Sequence, residues 1–348
     1  MTEPRIEIDL AAFRANVALL AKTVAPARTM LAVKANAYGH GVVPLARAAL
    51  ASGADSLAVL DVPTAMTLRD AGITAPLFAW LHGTHTDFRA AVDSDVDLGV
   101  SALWQLEAIL AAPTGRTPRV HLKVDTGLHR NGASPEDWPA LVSAAVAAER
   151  DGTLEVVALW SHLADASPKD DAAALKQFTK AVAVAAKLGC KPALRHLAAS
   201  SAGLRMPEAR LDLVRFGIAA YGISPFDDAT GKDLGLRPVM SIRAPVTKLT
   251  DGVATILVGS GDGIQVPAIG KAEVAIRRKR YPILAMEIDS MTIDVAKSRV
   301  AVGDEVTIFG PGNDGEATAE QWAEWAETIG DEIVARASER LPRVYLKP

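Results

Sequence analysis

One cysteine, Cys190, stands among 348 residues, so no internal disulfide can form, and a reducing compartment, the cytoplasm, is expected. Long apolar runs are missing as well. None reaches the roughly 20 residues that cross a bilayer, and the opening MTEPRIEIDLAAFRAN lacks the basic-then-apolar order of a signal peptide, so no membrane partner is expected. There is no excess of positive charge: 37 Lys and Arg face 41 Asp and Glu, a net −4, which speaks against a nucleic-acid partner. No Gly-rich phosphate loop follows the first candidate strand, no repeat recurs and no segment is of low complexity. Tyrosine is scarce, with only Tyr38, Tyr221, Tyr281 and Tyr345, which limits the phenols available for chemistry. What is present is the composition of a folded chain, 49% hydrophobic and 22% charged. Its length exceeds the roughly 250 to 300 residues at which one core stops growing.

Short apolar runs alternate with amphipathic stretches through the first two thirds: MLAVKAN from Met30, SLAVLD from Ser56, PLFAW from Pro76, VDLGV from Val96, RVHLKVD from Arg119, LEVVALWSH from Leu154, LRHLAAS from Leu194 and DLVRFGI from Asp212. Eight strand-helix units in this span predict an α/β fold, a (β/α)8 TIM barrel over residues 9–230. After Ile223 the linker SPFDDATGKDLGLRP leads to short β-prone segments, SIRAPVTKL, ATILV, AEVAIRR, YPILAMEIDSMTIDV and DEVTIF. They predict a smaller, mainly-β C-terminal domain over 236–348, joined by residues 1–8. One amphipathic helix, TAEQWAEWAETIGDEIVARAS, is expected from Thr318, with Gln321 at capping-box spacing.

In such a barrel the reactive groups come from the C-terminal ends of the strands. Those ends carry Lys34, Asn36 and Tyr38; Lys123 and Asp125, then Gly127, His129 and Arg130; His162; Ser200 and Ser201; and Arg215 and Gly217. Cations and hydroxyls with few carboxylates suit an anionic ligand, a phosphate or a carboxylate. Lys34 follows Leu31, Ala32 and Val33, and burial would make its amine a nucleophile; a lysine snorkelling from a strand end is the plainer alternative. Arg215 could equally be a structural partner of Asp212. His82 and His85 have only Asp87 near them, too few ligands for a metal, and none is expected.

Ala32 to Gly41 reads AVKANAYGHG, and further strings follow in order: LKVDTGLHRNG at 122–132, WSHLADA at 160–166, AASSAGLR at 198–205, RFGIAAYGISP at 215–225 and EWAETIGDEIVARASERLPRVY at 324–345. On these the chain resembles the alanine racemase family of fold-type III pyridoxal-phosphate enzymes. The resemblance implies an isomerase, an amino-acid racemase of D-amino acid metabolism, usually a homodimer with its active sites at the subunit interface. It assigns Lys34 as the Schiff-base lysine for pyridoxal 5'-phosphate and as a base on one substrate face. It assigns Tyr38, Ser201, the backbone of Gly217 and Ile218, and Tyr345 to the phosphate. Arg130 would lie near the phenolic oxygen, positioned by Lys123, which is a candidate for carbamylation, and His162 would pack on the ring. Arg215 would hydrogen-bond the pyridine nitrogen. A guanidinium does not readily release a proton, so that nitrogen stays neutral, the electron sink is weak, and return of a proton to Cα is favoured over transamination.

The strings depart from the family in the β domain. Family racemases use a second base, a tyrosine of the partner's β domain in a hairpin upstream of a GYADG string. Here SIRAPVTKLTDG passes straight to VATILVGSGDG, a shortening of about twenty residues. GYADG reads Gly259 to Gly263 as GSGDG; CMDQ reads Glu287, Ile288, Asp289, Ser290; TINYE reads Thr328, Ile329, Gly330, Asp331, Glu332. No tyrosine occupies the second-base position. Tyr281, Asp262 or water would have to substitute, predicting a slow racemase rather than an inactive one. Two other readings keep the cofactor: a lyase, aldolase or decarboxylase acting on a larger amino acid, and a homologue that binds pyridoxal phosphate without turnover.

Overall fold

The computed structural model describes residues 3–296 and 298–346. Two compact units divide the chain: residues 18–34 with 49–217, and residues 1–17, 35–48 and 218–348. Strand β1 (Arg5–Asp9) belongs to the second. The first is built on β2 (Arg28–Ala32), β3 (Ser56–Val59), β4 (Leu77–Ala79), β5 (Val96–Val100), β6 (Arg119–Lys123), β7 (Glu155–Trp160), β8 (Leu194–His196) and β9 (Leu213–Phe216).

All eight pair in parallel, in the order β8-β7-β6-β5-β4-β3-β2-β9. The amides of Asp212 and Arg215 donate to the carbonyls of Arg195 and Ala198 at 3.2 and 3.1 Å, returning β9 to β8 and closing the barrel. Each of the eight apolar runs overlaps one of these strands. Alternation sends one face of each strand inward, and Met30, Ala58, Phe78, Trp160 and Leu213 form a buried cluster. Crossover helices cover the other face. Pro168–Lys187 has Ser167 as N-cap, accepting from the Asp170 amide at 3.2 Å, and buries Ala174, Phe178, Ala181 and Ala185, the apolar stripe of an amphipathic helix. Gly189, at φ +94°, supplies the left-handed step after its end.

The second unit carries β1, β10 (Met240–Thr250), β11 (Val253–Ile256), β12 (Glu273–Ile276), β13 (Lys279–Met286), β14 (Met291–Asp294), β15 (Glu305–Phe309) and β16 (Arg343–Leu346). Long β10 pairs through its first half with β15 and through its second with β11, so β10-β11-β14-β13-β12-β15 is a closed antiparallel ring without free edges. Outside it, β1 pairs antiparallel with β10 and parallel with β16. Ile6 and Ile8 of β1 are fully buried, and Arg5, Glu7, Arg243 and Glu305 join β1, β10 and β15 in a ring of ion pairs.

Two expectations about local structure are corrected. The run from Met30 leaves the strand at Ala32, not Asn36, because the residues after Lys34 take a left-handed turn. The single helix expected from Thr318 is two, Ala319–Ala326 and Gly330–Ala335, broken where Glu327 sits at φ +56° and Thr328 closes back to the Ala323 carbonyl. Thr318 does cap the first of them, accepting from the Gln321 amide at 3.2 Å. Among the described residues no helix is long and apolar enough to cross a membrane.

Candidate active site

Within the barrel unit the strand ends collect cations. Arg119, His121 and Lys123 alternate along β6, so all three share one face. Lys123 is buried with its Nζ 4.6 Å from the Trp160 ring centroid; burial first, then Arg215 and Arg130, bring its pKa down to about 7 against the pull of Asp125. The loop after β6 is tied back to its own strand. Ala133 donates to the Lys123 carbonyl at 2.9 Å and Asp125 to Ala133 at 2.8 Å, while the Asp125 carboxylate accepts from the amides of Gly127 and His129 and pairs with the exposed His129 ring at 3.1 Å. Arg130 stands exposed in this loop.

Arg215, on β9, is buried. It donates through Nη1 to His196 Nδ1 at 2.8 Å and through Nη2 to the carbonyls of Ser161 and Leu197, both at 2.9 Å, and to His162 Nδ1 at 3.1 Å. Burial lowers its pKa to about 9. The plainer pairing with Asp212 does not form, since Asp212 engages Arg195 at 2.8 Å. His162 is held neutral: burial, then Arg215, Arg130, Lys123 and Lys34, push its pKa well below the ordinary value. Ser200 and Ser201 open the helix Ser200–Arg205, and the Ser200 hydroxyl already accepts the Gly217 amide at 3.1 Å. Half-buried Lys34 is the last residue of this unit's first segment.

From Ala35 to Tyr38 four successive residues other than glycine have φ of 50 to 53°. Each costs roughly 1–2 kcal/mol in that conformation, so the turn needs support. Gly39 donates to the Ala35 carbonyl at 2.8 Å and Gly41 to that of Asn36 at 2.9 Å, the Asn36 side chain accepts from the Val42 amide at 2.8 Å, and buried His40 closes onto the Ala37 and Tyr38 carbonyls. Strain of this kind gathers at functional sites.

The second unit holds the remaining assigned residues. Tyr38 is buried against Tyr221, ring centroids 4.8 Å apart, and burial raises its pKa. Tyr345, on β16, donates to the His40 carbonyl at 3.2 Å. Gly41 must be glycine here: at φ +98°, a Cβ would collide with the Tyr345 hydroxyl. Ile218 begins the buried turn Ile218–Tyr221. At the shortened connection, β10 and β11 join directly through Asp251 and Gly252, with φ of 49 and 80°, a two-residue type I′ geometry that pairs Thr250 with Val253 and Leu249 with Ala254. The strands close with no hairpin between them. Asp262 is fully buried, accepting the Gly259 amide at 3.0 Å and facing Arg340 at 3.4 Å, while Tyr281 is buried on β13.

Sequence reading passed over His121, His196 and Asp97. Their signal was present: each is a polar residue within an apolar run, and in a barrel such a residue, when buried, must find partners inside. His82, by contrast, is a packed histidine, bonded to the Ala79 carbonyl at 3.1 Å, and Asp87 caps the helix Phe88–Asp93.

Comparison with known proteins agrees with this architecture. The family described as "Alanine racemase, N-terminal domain" matches residues 8–225, and "Alanine racemase, C-terminal domain" matches 243–345. An alanine racemase of Frankia casuarinae is 42% identical, with 97% of this chain and 95% of that protein covered. One of Thermobifida fusca is 41% identical over 97% of this chain and 96% of its own. The crystal structure of alanine racemase from D-cycloserine-producing Streptomyces lavendulae superimposes with a TM-score of 0.96 at 40% identity, covering 100% of this chain and 98% of that one. With both halves of the sequence matched in order and the barrel and β unit reproduced, the chain belongs to the alanine racemase family.

Proposed function

We propose that the protein is a pyridoxal-phosphate-dependent racemase of alanine. The observation that carries this reading is the crowding of Lys34, Lys123, Arg130 and Arg215 around a neutral His162, with Asp125 the carboxylate that opposes them at Lys123. Two of these cations, Lys123 and Arg215, are buried; such crowding is costly unless an anion completes the set, and a cofactor bearing a phosphate and a phenolic oxygen fits. When bound, pyridoxal phosphate supplies an electron sink for the Cα–H bond.

The residues divide the work. Lys34 would hold the cofactor through its amine and move the Cα proton on one face. Arg215, which only donates, would hydrogen-bond the pyridine nitrogen and supply it no proton. Arg130 would meet the phenolic oxygen, with Lys123 positioning it. A Lys123 amine with its pKa near 7 is neutral often enough to add carbon dioxide, releasing a proton and becoming a carbamate anion that would pair with Arg130. His162 packs on the ring. Tyr38, Tyr345, Ser201 and the Gly217 and Ile218 backbone receive the phosphate; at Gly217 it would compete with the Ser200 hydroxyl. The barrel is assigned to residues 9–230 and the β domain to 1–8 with 236–348. We also assign a homodimer in the cytoplasm, supported by exposed Leu257, Leu284, Ile288 and Ile329 on the second unit and by the lone, buried Cys190.

The second proton carrier is the open element. The type I′ turn between β10 and β11 has no tyrosine, and Asp262 is tied into its own cap. A general base contributes roughly a hundred- to ten-thousandfold, so we expect slow racemisation with water or Tyr281 on the second face. Incubation with L- and D-alanine in deuterated water tests this. Deuterium at Cα with inversion of both enantiomers is expected; exchange of one enantiomer without inversion would refute the racemase and favour one-base chemistry. Lys34→Ala should abolish the visible-to-near-ultraviolet absorbance of bound cofactor, and a wild-type protein that takes up no pyridoxal phosphate would overturn the assignment.

A further inference from the structure

Arg215 lies at one end of a row of hydrogen bonds that crosses the barrel interior. Its Nη1 meets His196 Nδ1 at 2.8 Å, His196 Nε2 meets His121 Nδ1 at 3.0 Å, and His121 Nε2 meets Asp97 Oδ2 at 3.2 Å. Arg119 Nε then donates to Asp97 Oδ1 at 2.8 Å and its Nη1 to Glu155 at 3.1 Å. The row's four buried members, Arg215, His196, His121 and Asp97, come from four strands, β9, β8, β6 and β5. Asp97, His121, His196 and Arg215 are all buried, and among the described residues no carboxylate pairs with Arg215 directly.

Counting protons gives the row a single direction. A guanidinium has donors only, so His196 Nδ1 must be the bare nitrogen and its proton must sit on Nε2. That proton points at His121 Nδ1, which must be bare in turn, leaving the His121 proton on Nε2 to meet the carboxylate. Asp97 has no proton to return; burial pushes its pKa up, but His121 and Arg119 outweigh this and hold it below the ordinary value. Both rings are clamped. Phe78 stacks on His121 at 4.3 Å and meets His196 edge-on at 5.7 Å, while Trp160 stacks on His196 at 5.5 Å. Beyond Asp97 a cavity of about 110 Å³ at the N-terminal strand ends, lined in part by Arg28, Asp55 and Ser56, is large enough for several waters.

We infer that Asp97, His121 and His196 are positioning residues: together they fix the tautomers that hold Arg215 in place, with the Asp97 carboxylate as its distant counter-charge. The inference rests on the proposed role of Arg215 at the pyridine nitrogen. Reversing the His196 tautomer would point a proton at the guanidinium and set two bare nitrogens against each other, while reversing that of His121 would set two N–H groups against each other and a bare nitrogen against the Asp97 carboxylate. Asp97 thus acts on the cofactor site from the opposite end of the barrel.

Nitrogen-15 spectra of histidine-labelled full-length protein, recorded with and without pyridoxal phosphate, test this, with signals assigned by their loss in His121→Gln and His196→Gln. Both rings should be in the Nε2–H form, and His196 should stay neutral at pH 6. In Asp97→Asn, whose amide can present either oxygen or NH2, the single His121 tautomer should be lost, the absorbance band of bound cofactor should move, and kcat should fall roughly ten- to hundredfold, as when an outer partner of a site residue is removed. Phe78→Leu, which removes the stacking but no hydrogen bond, should keep both tautomers. His196 found in the Nδ1–H form or protonated, or Asp97→Asn spectra identical to wild type, would overturn the inference. If Asp97→Asn does not fold, the wild-type tautomers decide alone. If the protein takes up no cofactor, the functional reading falls while the unloaded spectra still judge the row.

Discussion

Arg215 and Lys123 show how a cation survives inside a barrel. Arg215 keeps its charge by spending its donors on two carbonyls and two imidazoles, at the cost of a pKa drawn down to about 9. Lys123 has an aromatic ring and two neighbouring cations instead, and its pKa falls to about 7. Because the unfolded chain keeps this lysine protonated up to its ordinary pKa near 10.4, it binds more protons than the folded state between about 7 and that value. Stability from this site therefore rises with pH through that window and is lost as pH falls to 7. The same shift sets the chemistry. Carbon-13 bicarbonate should give a carbamate resonance at pH 8 that fades below pH 6 and is absent in Lys123→Arg; a signal independent of pH or unaffected by the substitution would rule out modification at this residue. Lys34, His162 and Arg215 could be singled out in sequence because each lies at or beside a strand end, and Arg130 because it lies in the loop that follows one; the roles proposed for them come from the family resemblance. His121 and His196 showed only as polar residues in apolar runs, and whom they meet was not legible, because their partners lie 24 and 19 residues away or more, on other strands.

Elements departed from expectation where local preference was overruled. The turn from Ala35 to Tyr38 has no glycine within it and reads as a continuing strand, yet four left-handed residues are held there by Gly39, Gly41, Asn36 and His40. Neighbouring bonds offset a strain that no propensity would forecast. The helix after Thr318 reads as continuous because its apolar spacing continues, but Glu327 leaves it in a left-handed cap. This position predicts its own improvement. Glu327→Gly should raise stability, since glycine occupies that conformation freely and the exposed pair with Lys271 is worth little. Urea unfolding measures it; a lower midpoint would show that the side chain matters more than the backbone. The β10–β11 connection went the other way. Asp251–Gly252 is a strong hairpin signal, and the structure uses it as such.

At the scale of the molecule, the exposed Ile288 and Ile329 argue for a partner surface on the second unit. Sedimentation should give twice the 36.5 kDa chain mass, and Ile288→Arg with Ile329→Arg should shift it toward the monomer; an unchanged mass would place the interface elsewhere. The barrel and the β unit both follow from the order of apolar runs, because hydrophobic period and turn chemistry are properties of neighbouring residues. The chemical inventory at the strand ends follows for the same reason. Tertiary structure alone decided which polar side chains meet inside the barrel, and that β9 returns to β8 to close it. Those outcomes depend on distances between residues far apart in the chain, which only closure of the barrel sheet brings to hydrogen-bonding range.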